Sequence, residues 1–156
     1  MRKSLFIDTS YILALLNAQD EFHRQAASLA DQIDGSFLTT EAVLTEIANA
    51  LAKLQWRALA IDTINNLRDD NDVEVVSITP KLFSKAMDFY ASRMDKEWGL
   101  TDCLSFIVMK EKNLTDVLTT DHHFEQAGFT PLMCKAGKCC VVIIPRLRLL
   151  RNDGLH

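Results

Sequence analysis

Ser4-Leu5-Phe6-Ile7-Asp8-Thr9-Ser10 is the stretch of this sequence that decides the fold. Its three apolar residues form a short run of the kind found in buried β-strands, and an acid and two hydroxyls follow directly. The next six residues, Tyr11 to Leu16, are apolar enough and numerous enough to begin a helix. Asp8 is therefore predicted at the carboxyl end of the first strand, the edge at which open α/β sheets bind their ligands.

Helical and strand patterns alternate along the rest of the chain, which predicts an α/β fold with a mainly parallel central sheet. Further strands are predicted at Phe37–Thr40, Val73–Ile78 and Val117–Thr120. Helices are predicted at about 20–33, 41–54, 56–67, 80–94, 101–112 and 122–127. We expect one domain over residues 1–133 and a C-terminal extension over residues 134–156, in which Cys140–Ile144 has a strand-like pattern.

Length and charge limit the classes of function. A chain of 156 residues is long enough for one domain with a real hydrophobic core. The net charge is −4, and because residues 134–156 hold five basic residues and one acid, the preceding part of the chain is strongly acidic. An acidic body argues against nonspecific coating of DNA and is compatible with a concentrated carboxylate site for a metal ion.

The four cysteines do not form a recognisable framework. Their spacing matches no zinc site, and reduced thiols in a cytoplasmic protein are the expected state. No apolar segment is long enough to cross a membrane, so we expect no membrane partner.

Four acids stand at positions where a parallel sheet could bring them together: Asp8, Glu46, Asp102 and Asp121. Each has an ordinary explanation when taken alone. Asp8 and Asp121 could cap helices, Asp102 could face the positive end of a helix, and Glu46 could pair with a basic residue. Glu46 nevertheless lies at the edge of an apolar helical stripe that includes Val43, where a carboxylate needs a partner.

Together these four acids indicate a metal site. Clustered carboxylates repel one another, which raises their pKa values unless a cation is bound. Oxygen-only ligation suits Mg²⁺ or Mn²⁺, and such a site can activate water and clamp a phosphodiester. Of the nearby acids, Asp116 falls at the amino end of its strand and is discounted, whereas Asp95 is a candidate for a supporting position. His122, His123 and Trp98 are interpreted as structural, with contact to RNA as the alternative.

The segments around the four acids resemble, in order, the four acidic motifs of PIN domains. They are Phe6–Ser10, Thr45–Ala50, Leu100–Ser105 and Leu118–Asp121. The resemblance covers about residues 4–133, is closest to the small VapC-like toxins of toxin–antitoxin systems, and does not extend to residues 134–156. It implies a three-layer α/β/α domain and a metal-dependent endoribonuclease with the four acids around the metal. It also implies that Thr119 supports the site, that the protein is a homodimer, and that an antitoxin blocks the active site.

Two other classes of protein remain open at this stage. A phosphoryl-transfer enzyme of the haloacid-dehalogenase type also starts from an aspartate after its first strand, but it normally has a second aspartate two residues later, where this chain has Ser10. A noncatalytic PIN-like module that only binds RNA or a protein is the other alternative. The presence of all four acids speaks against it.

Overall fold

The computed structural model describes residues 3–133 and residue 135. The strands are β1 (Ser4–Ile7), β2 (Ser36–Thr40), β3 (Val73–Val76), β4 (Asp116–Leu118) and β5 (Thr130–Pro131). The helices are α1 (Thr9–Leu16), α2 (His23–Gln32), α3 (Glu41–Ala50), α4 (Leu54–Asp69), α5 (Pro80–Ser92), α6 (Leu100–Glu111) and α7 (His122–Gln126). The predicted strand at Cys140–Ile144 and nearly all of the predicted C-terminal extension lie outside the described residues.

The five strands form one sheet in the order β3-β2-β1-β4-β5, and every pair is parallel. The predicted α/β fold is confirmed, because helices flank this sheet and connect its strands. Strand β1 is central, and its residues Leu5, Phe6 and Ile7 are fully buried. Strand β1 ends at Ile7, and the backbone N–H of the next residue, Asp8, donates to Leu118 O of β4 at 3.1 Å. Asp8 therefore lies directly at the carboxyl end of the central strand.

Helix α3 follows β2 without a loop, and Thr40 Oγ1 caps it by accepting the N–H of Val43. The predicted apolar stripe is correct for Val43 and Ile47, which are buried. It is wrong for its extension to Leu54, which is 90% exposed. The chain leaves the helix after Ala50, so the residues beyond it no longer follow the helical period of α3.

Aromatic packing joins α6 and α7 to the sheet. Phe106 of α6 makes edge contacts with Phe124 and with Trp98, at ring-centroid distances of 5.0 Å in both cases. The indole N–H of Trp98 donates to Gln126 Oε1 at 3.0 Å. Trp98 is therefore a buried packing residue, as predicted, and its ring is not displayed for stacking on a base.

Several strand boundaries differ from the sequence-based expectation. Strand β3 ends at Val76 instead of Ile78. Strand β4 ends at Leu118 instead of Thr120, because the next two residues turn away from the ladder. The edge strand β5 was not predicted, since it has only two residues and one of them is Pro131. Among the described residues, no helix combines the length and the apolar character that crossing a membrane requires.

Candidate active site

The carboxyl-terminal edge of the sheet brings together residues from four separate segments. Asp8 follows β1, Thr119 and Asp121 follow β4, and Glu46 lies on the helix that follows β2. Helix α6 leads into the amino end of β4, so its first turn, which contains Asp102, lies toward the opposite, carboxyl edge. The parallel topology thus carries all four predicted acids to the same side of the sheet.

Asp8 is buried, with 6% of its surface exposed. Its Oδ2 atom accepts a hydrogen bond from Thr119 Oγ1 at 2.7 Å and one from Ser10 Oγ at 3.2 Å. Asp8 stands at the N-cap position of α1, but its side chain makes no capping bond there. Helix capping therefore does not explain this residue, and its carboxylate is instead held by two hydroxyls.

The directions of these hydrogen bonds follow from the donors available. Thr119 gives its one hydroxyl proton to Asp8, and its oxygen accepts the backbone N–H of Asp121 at 3.0 Å. Ser10 Oγ accepts the N–H of Thr120 at 2.9 Å and lies 3.0 Å from Thr119 Oγ1. The single hydroxyl proton of Ser10 therefore has two possible acceptors, Asp8 Oδ2 and Thr119 Oγ1. This network ties the loop after β4 to the end of β1 and fixes the orientation of the Asp8 carboxylate.

The electrostatics of Asp8 show that the acids lie close together. The pKa of its carboxyl is raised from 3.8 to about 6: burial is the largest cause, the hydrogen bonds from Thr119 and the Thr9 backbone oppose it, and the negative charges of Asp102 and Glu46 add to it. Two acids from other helices are therefore near enough to oppose the ionisation of Asp8. A divalent cation would reverse this effect, because it favours the charged form of every carboxylate around it.

Glu46 is half-buried, and its Oε2 atom accepts a hydrogen bond from Thr9 Oγ1 at 2.7 Å. The expected alternative, an ion pair with a basic residue, is not found among the described residues. Its partner is a neutral hydroxyl, which orients the carboxylate without neutralising it. The residue that follows Asp8 in sequence thus positions the acid contributed by α3.

Asp102 and Asp121 are connected through His123. Asp102 Oδ2 accepts the backbone N–H of Gly99 at 3.0 Å and lies 3.1 Å from His123 Nδ1. Asp121 Oδ1 accepts the backbone N–H of His123 at 2.9 Å, and its Oδ2 lies 3.4 Å from the same Nδ1. Burial and the charge of Asp121 raise the pKa of Asp102, whereas the Gly99 N–H and His123 lower it. The capping role considered for Asp121 is therefore real, Asp102 contacts the beginning of its own helix as its alternative predicted, and His123 links the two acids in addition.

The remaining predicted acids lie outside this site. Asp95 is exposed and bonds to Arg93 Nε at 2.9 Å, so it does not support the four acids. Asp116, at the amino end of β4, forms an ion pair with Lys3, which agrees with its exclusion. Sequence reasoning missed the bridging position of His123, because the contact with Asp102 spans 21 residues and depends on how α6 packs against α7.

The carboxylate oxygens near Asp8 are of the chemical type that a hard divalent cation prefers, whereas the ligand atoms that lie within 4.8 Å of one another in the described part of the chain are those of Asp121, His122 and His123. Asp8, Glu46 and Asp102 offer carboxylate oxygens from three segments, and the charge repulsion between Asp8 and the other two is the property that a cation would relieve. Oxygen ligands of this kind are those that Mg²⁺ and Mn²⁺ prefer. The arrangement is chemically suited to bind such an ion and, through it, the oxygen atoms of a phosphate group.

Comparison with known proteins identifies relatives of this arrangement. The PIN domain family model matches residues 5–130. The 23S rRNA-specific endonuclease VapC20 of Mycobacterium tuberculosis is 29% identical over 125 residues, which are 80% of this chain and 95% of VapC20. Its crystal structure, described as that of a sarcin-ricin loop cleaving toxin, superposes with a TM-score of 0.75 at 28% identity and covers 81% of this chain and 96% of that one.

A more distant structure shares only the fold. VapBC-1 from nontypeable Haemophilus influenzae aligns with a TM-score of 0.55 at 14% identity, over 80% of this chain and 91% of the other. The match to the PIN family model decides against the haloacid-dehalogenase alternative. Ser10 agrees with this outcome, because at the position of the second aspartate it contributes a hydroxyl that holds Asp8.

Proposed function

The chain belongs to the PIN-domain family, and we propose that it is a metal-dependent endoribonuclease, the toxin of a VapBC-type toxin–antitoxin pair. The observation that carries this proposal is the buried Asp8 carboxylate, whose pKa is raised by burial and by the charges of Asp102 and Glu46. A protein that needed no cation here would gain stability by replacing such an acid with a neutral residue. The similarity to a ribosomal RNA endonuclease supports the same conclusion.

The four acids Asp8, Glu46, Asp102 and Asp121 are the proposed site residues, with Mg²⁺ or Mn²⁺ as the proposed ion. When bound, such an ion supplies activation of a water molecule and neutralisation of charge at the phosphate. The protein's part is to orient the carboxylates and to hold Asp8 and Glu46 by hydroxyl groups instead of lysine or arginine. Thr119 is the proposed supporting residue, because its hydroxyl bond opposes the burial that favours the protonated form of Asp8.

RNA is the proposed substrate, on the basis of what VapC20 cleaves. An RNA phosphate is itself negative, so a group of carboxylates alone would repel it, and binding at this edge requires an intervening cation. The proposed substrate also places the site of action in the cytoplasm, where ribosomal RNA is found.

An exposed apolar surface and a groove support the proposed protein partners. Phe83, Met87, Tyr90 and Met94 recur at helical spacing along and just beyond α5 and are all exposed, which suits the contact between two copies of the chain. A groove between α1, α2 and α4, lined by residues such as Leu15 and Leu59, suits an antitoxin segment.

The decisive experiment incubates purified protein with intact ribosomes, with free ribosomal RNA and with a mixed RNA pool. Each substrate is tested with chelator, with Mg²⁺ and with Mn²⁺, and cleavage is mapped by primer extension. We expect discrete cuts only when the divalent ion is present. A protein with a noncatalytic role would bind RNA or a partner without producing cuts under any of these conditions.

Asp8→Asn is the active-site variant, and Asp95→Asn is its matched control. Both replace one aspartate by its amide, but Asp95 pairs with Arg93 away from the four acids. Asp8→Asn should abolish cleavage, and Asp95→Asn should cleave like wild type. Cleavage by Asp8→Asn at the wild-type rate, or cleavage that persists in chelator, would contradict the proposal.

A further inference from the structure

The turn between α3 and α4 is continuous with the helix that supplies one acid of the site. Helix α3 begins directly at the carboxyl end of β2, carries Glu46 in its second turn and ends at Ala50. Glu46 precedes that end by about 6 Å along the helix axis. Residues 51–53 and the first turn of α4 follow at once, so they lie close to the four acids.

The length of α4 shows on which side of the sheet this turn lies. The helix leads into β3, and the backbone N–H of Phe37 near the start of β2 donates to Asp72 O at 2.7 Å, so the end of α4 lies at the amino edge. Its sixteen residues extend for about 24 Å, whereas the five residues of β2 span about 17 Å. Because a crossover helix runs back along the sheet to the next strand, the beginning of α4 projects beyond the carboxyl edge, where the acids lie.

This projecting part of the surface carries two cations that no acid neutralises. Lys53 and Arg57 are exposed, and within the described part of the chain neither forms an ion pair with a carboxylate. Arg57 Nη2 donates to Ala52 O at 2.8 Å, which fixes the guanidinium beside the turn and leaves its other N–H groups for further acceptors. By contrast, the exposed Lys85 and Lys112 are each paired with a glutamate.

An exposed aromatic ring stands between these two cations in the sequence. Trp56 is 44% exposed, whereas Trp98, the other tryptophan of the chain, is buried. Bases of single-stranded RNA stack on exposed aromatic rings, and neighbouring lysines and arginines contact the phosphates. A displayed indole flanked by unpaired cations therefore has the composition of a surface that binds a nucleotide.

The charge of the site explains why an RNA strand needs such a surface. Carboxylates repel phosphates, and a bound divalent ion attracts mainly the phosphate that it contacts. The nucleotides next to that phosphate would still face a protein whose net charge is −4. Unpaired cations just outside the group of acids supply the missing attraction without neutralising the acids themselves.

We propose that Lys53, Trp56 and Arg57 form a nucleotide-binding surface that holds the RNA strand beside the phosphodiester to be cleaved. One base stacks on the Trp56 indole, and the two cations contact the phosphates next to it. This inference rests on the proposed ribonuclease function and deepens it by assigning residues that position the substrate. A protein partner is the competing occupant, and the unpaired cations on both sides of the ring favour a polyanion over it.

Arg68 provides a matched control on the same helix. It is exposed and follows Arg57 by about three helical turns, so both residues lie on the same face of α4. It belongs to the last turn of the helix, at the amino edge of the sheet and about 16 Å along the axis from Arg57. Arg68→Glu changes the net charge by the same amount as Arg57→Glu and leaves the proposed surface intact.

The test measures initial rates at which the full-length protein cleaves free ribosomal RNA in Mn²⁺, over a range of RNA concentrations. Trp56→Ala removes the stacking ring, so we expect KM to rise about tenfold while kcat stays within about twofold of wild type. Arg57→Glu should also raise KM and should weaken the dependence of kcat/KM on salt concentration. Trp56→Phe keeps an aromatic ring, and both it and Arg68→Glu should keep a KM within about threefold of wild type.

The possible results separate this inference from the proposed function. An unchanged KM for both Trp56→Ala and Arg57→Glu would overturn the inference and leave the surface to a protein partner. A rise in KM for Arg68→Glu as large as for Arg57→Glu would also overturn it, since the effect would then reflect net charge alone. If wild type binds RNA without cutting it, only the proposed function fails, and the Kd for a fluorescein-labelled single-stranded RNA, measured by fluorescence anisotropy, should change as predicted for KM. Wild type that neither binds nor cuts RNA would overturn both.

Discussion

Replacing Asp8 with Asn should stabilise the metal-free protein at neutral pH. Burial, together with the charges of Asp102 and Glu46, raises the pKa of Asp8 in the folded state from 3.8 to about 6. Each pKa unit corresponds to about 1.36 kcal/mol, so keeping this carboxylate ionised costs the folded protein about 3 kcal/mol above the folded pKa. Asn has nearly the same shape and carries no charge, so the variant does not incur this cost.

The dependence on pH isolates this effect from every other consequence of the substitution. Below about pH 3.8 the carboxyl is protonated in both states, and between pH 3.8 and 6 the unfolded chain loses its proton first. The metal-free wild type therefore loses stability as the pH rises through this window, and the variant lacks that loss. The stability difference between the two proteins should grow by about 2.5 kcal/mol between pH 4 and pH 7.5. Any effect of the amide group on the free energy of unfolding that does not depend on pH cancels when the stability differences at pH 4 and pH 7.5 are compared.

Urea denaturation in the presence of chelator measures the difference, since urea adds no charge that would screen the site. Asp95→Asn is the control. Arg93 lowers the pKa of Asp95 to about 2, so removal of the Asp95 carboxylate should not stabilise the folded protein relative to wild type as the pH rises. Added Mg²⁺ should then stabilise wild type and leave Asp8→Asn nearly unchanged. A stability difference that stays constant from pH 4 to pH 7.5 would refute the reasoning, since it would mean that Asp8 ionises as freely in the folded protein as in the unfolded one.

Three further predictions follow from the same contacts. Glu46→Gln should lose RNA cleavage while its circular dichroism spectrum stays that of wild type, and a cleaving variant would remove Glu46 from the site. Thr119→Val should cost about 1.5–3 kcal/mol in urea melts at neutral pH, because it leaves the buried Asp8 carboxylate without its shortest hydrogen bond, and a change below 0.5 kcal/mol would contradict this role. Deletion of residues 134–156 should leave a folded core that binds Mn²⁺, since the five strands and the four acids lie upstream; loss of cooperative unfolding would show that the extension is part of the domain.

The sequence was sufficient to predict strands β1 to β4 of a parallel sheet and the placement of its central acid, but not the edge strand β5. Short apolar runs alternating with helical patterns permit few arrangements other than a parallel sheet, and a parallel sheet puts Asp8 and the residues after β4 at the same edge. Strand β4 was predicted to end two residues too late, because Thr119 and Thr120 have the β propensity of a strand. Their actual conformation is determined by contacts with Ser10 and Asp8, more than a hundred residues away in sequence.

The link between Asp102 and Asp121 could not be predicted from the sequence. His123 follows Asp121 in a short polar stretch whose pattern is equally typical of a solvated helix end. Its contact with Asp102 arises from the packing of Phe106 against Phe124, which brings the beginning of α6 beside α7. Apolar periodicity identifies both aromatic residues as core, but it does not specify which of them meet.

The nature of their partners distinguishes Asp8 and Glu46 from Asp95 and Asp116, two acids outside the site. Asp116 is paired with Lys3 and Asp95 with Arg93, so these two acids are neutralised by the protein itself. Asp8 and Glu46, by contrast, are held by hydroxyl groups. A hydroxyl fixes the direction of a carboxylate and leaves its negative charge in place, whereas a lysine or arginine would cancel that charge. Strand β4 and the loop after it provide one example of each kind of partner. Asp116, at the amino end of the strand, forms an ion pair with Lys3, whereas Thr119, after its carboxyl end, donates a hydrogen bond to Asp8. Within the described part of the chain, the buried Asp8 carboxylate is held by hydroxyl groups and not by a basic residue, which leaves the carboxyl edge of the sheet suited to a cation.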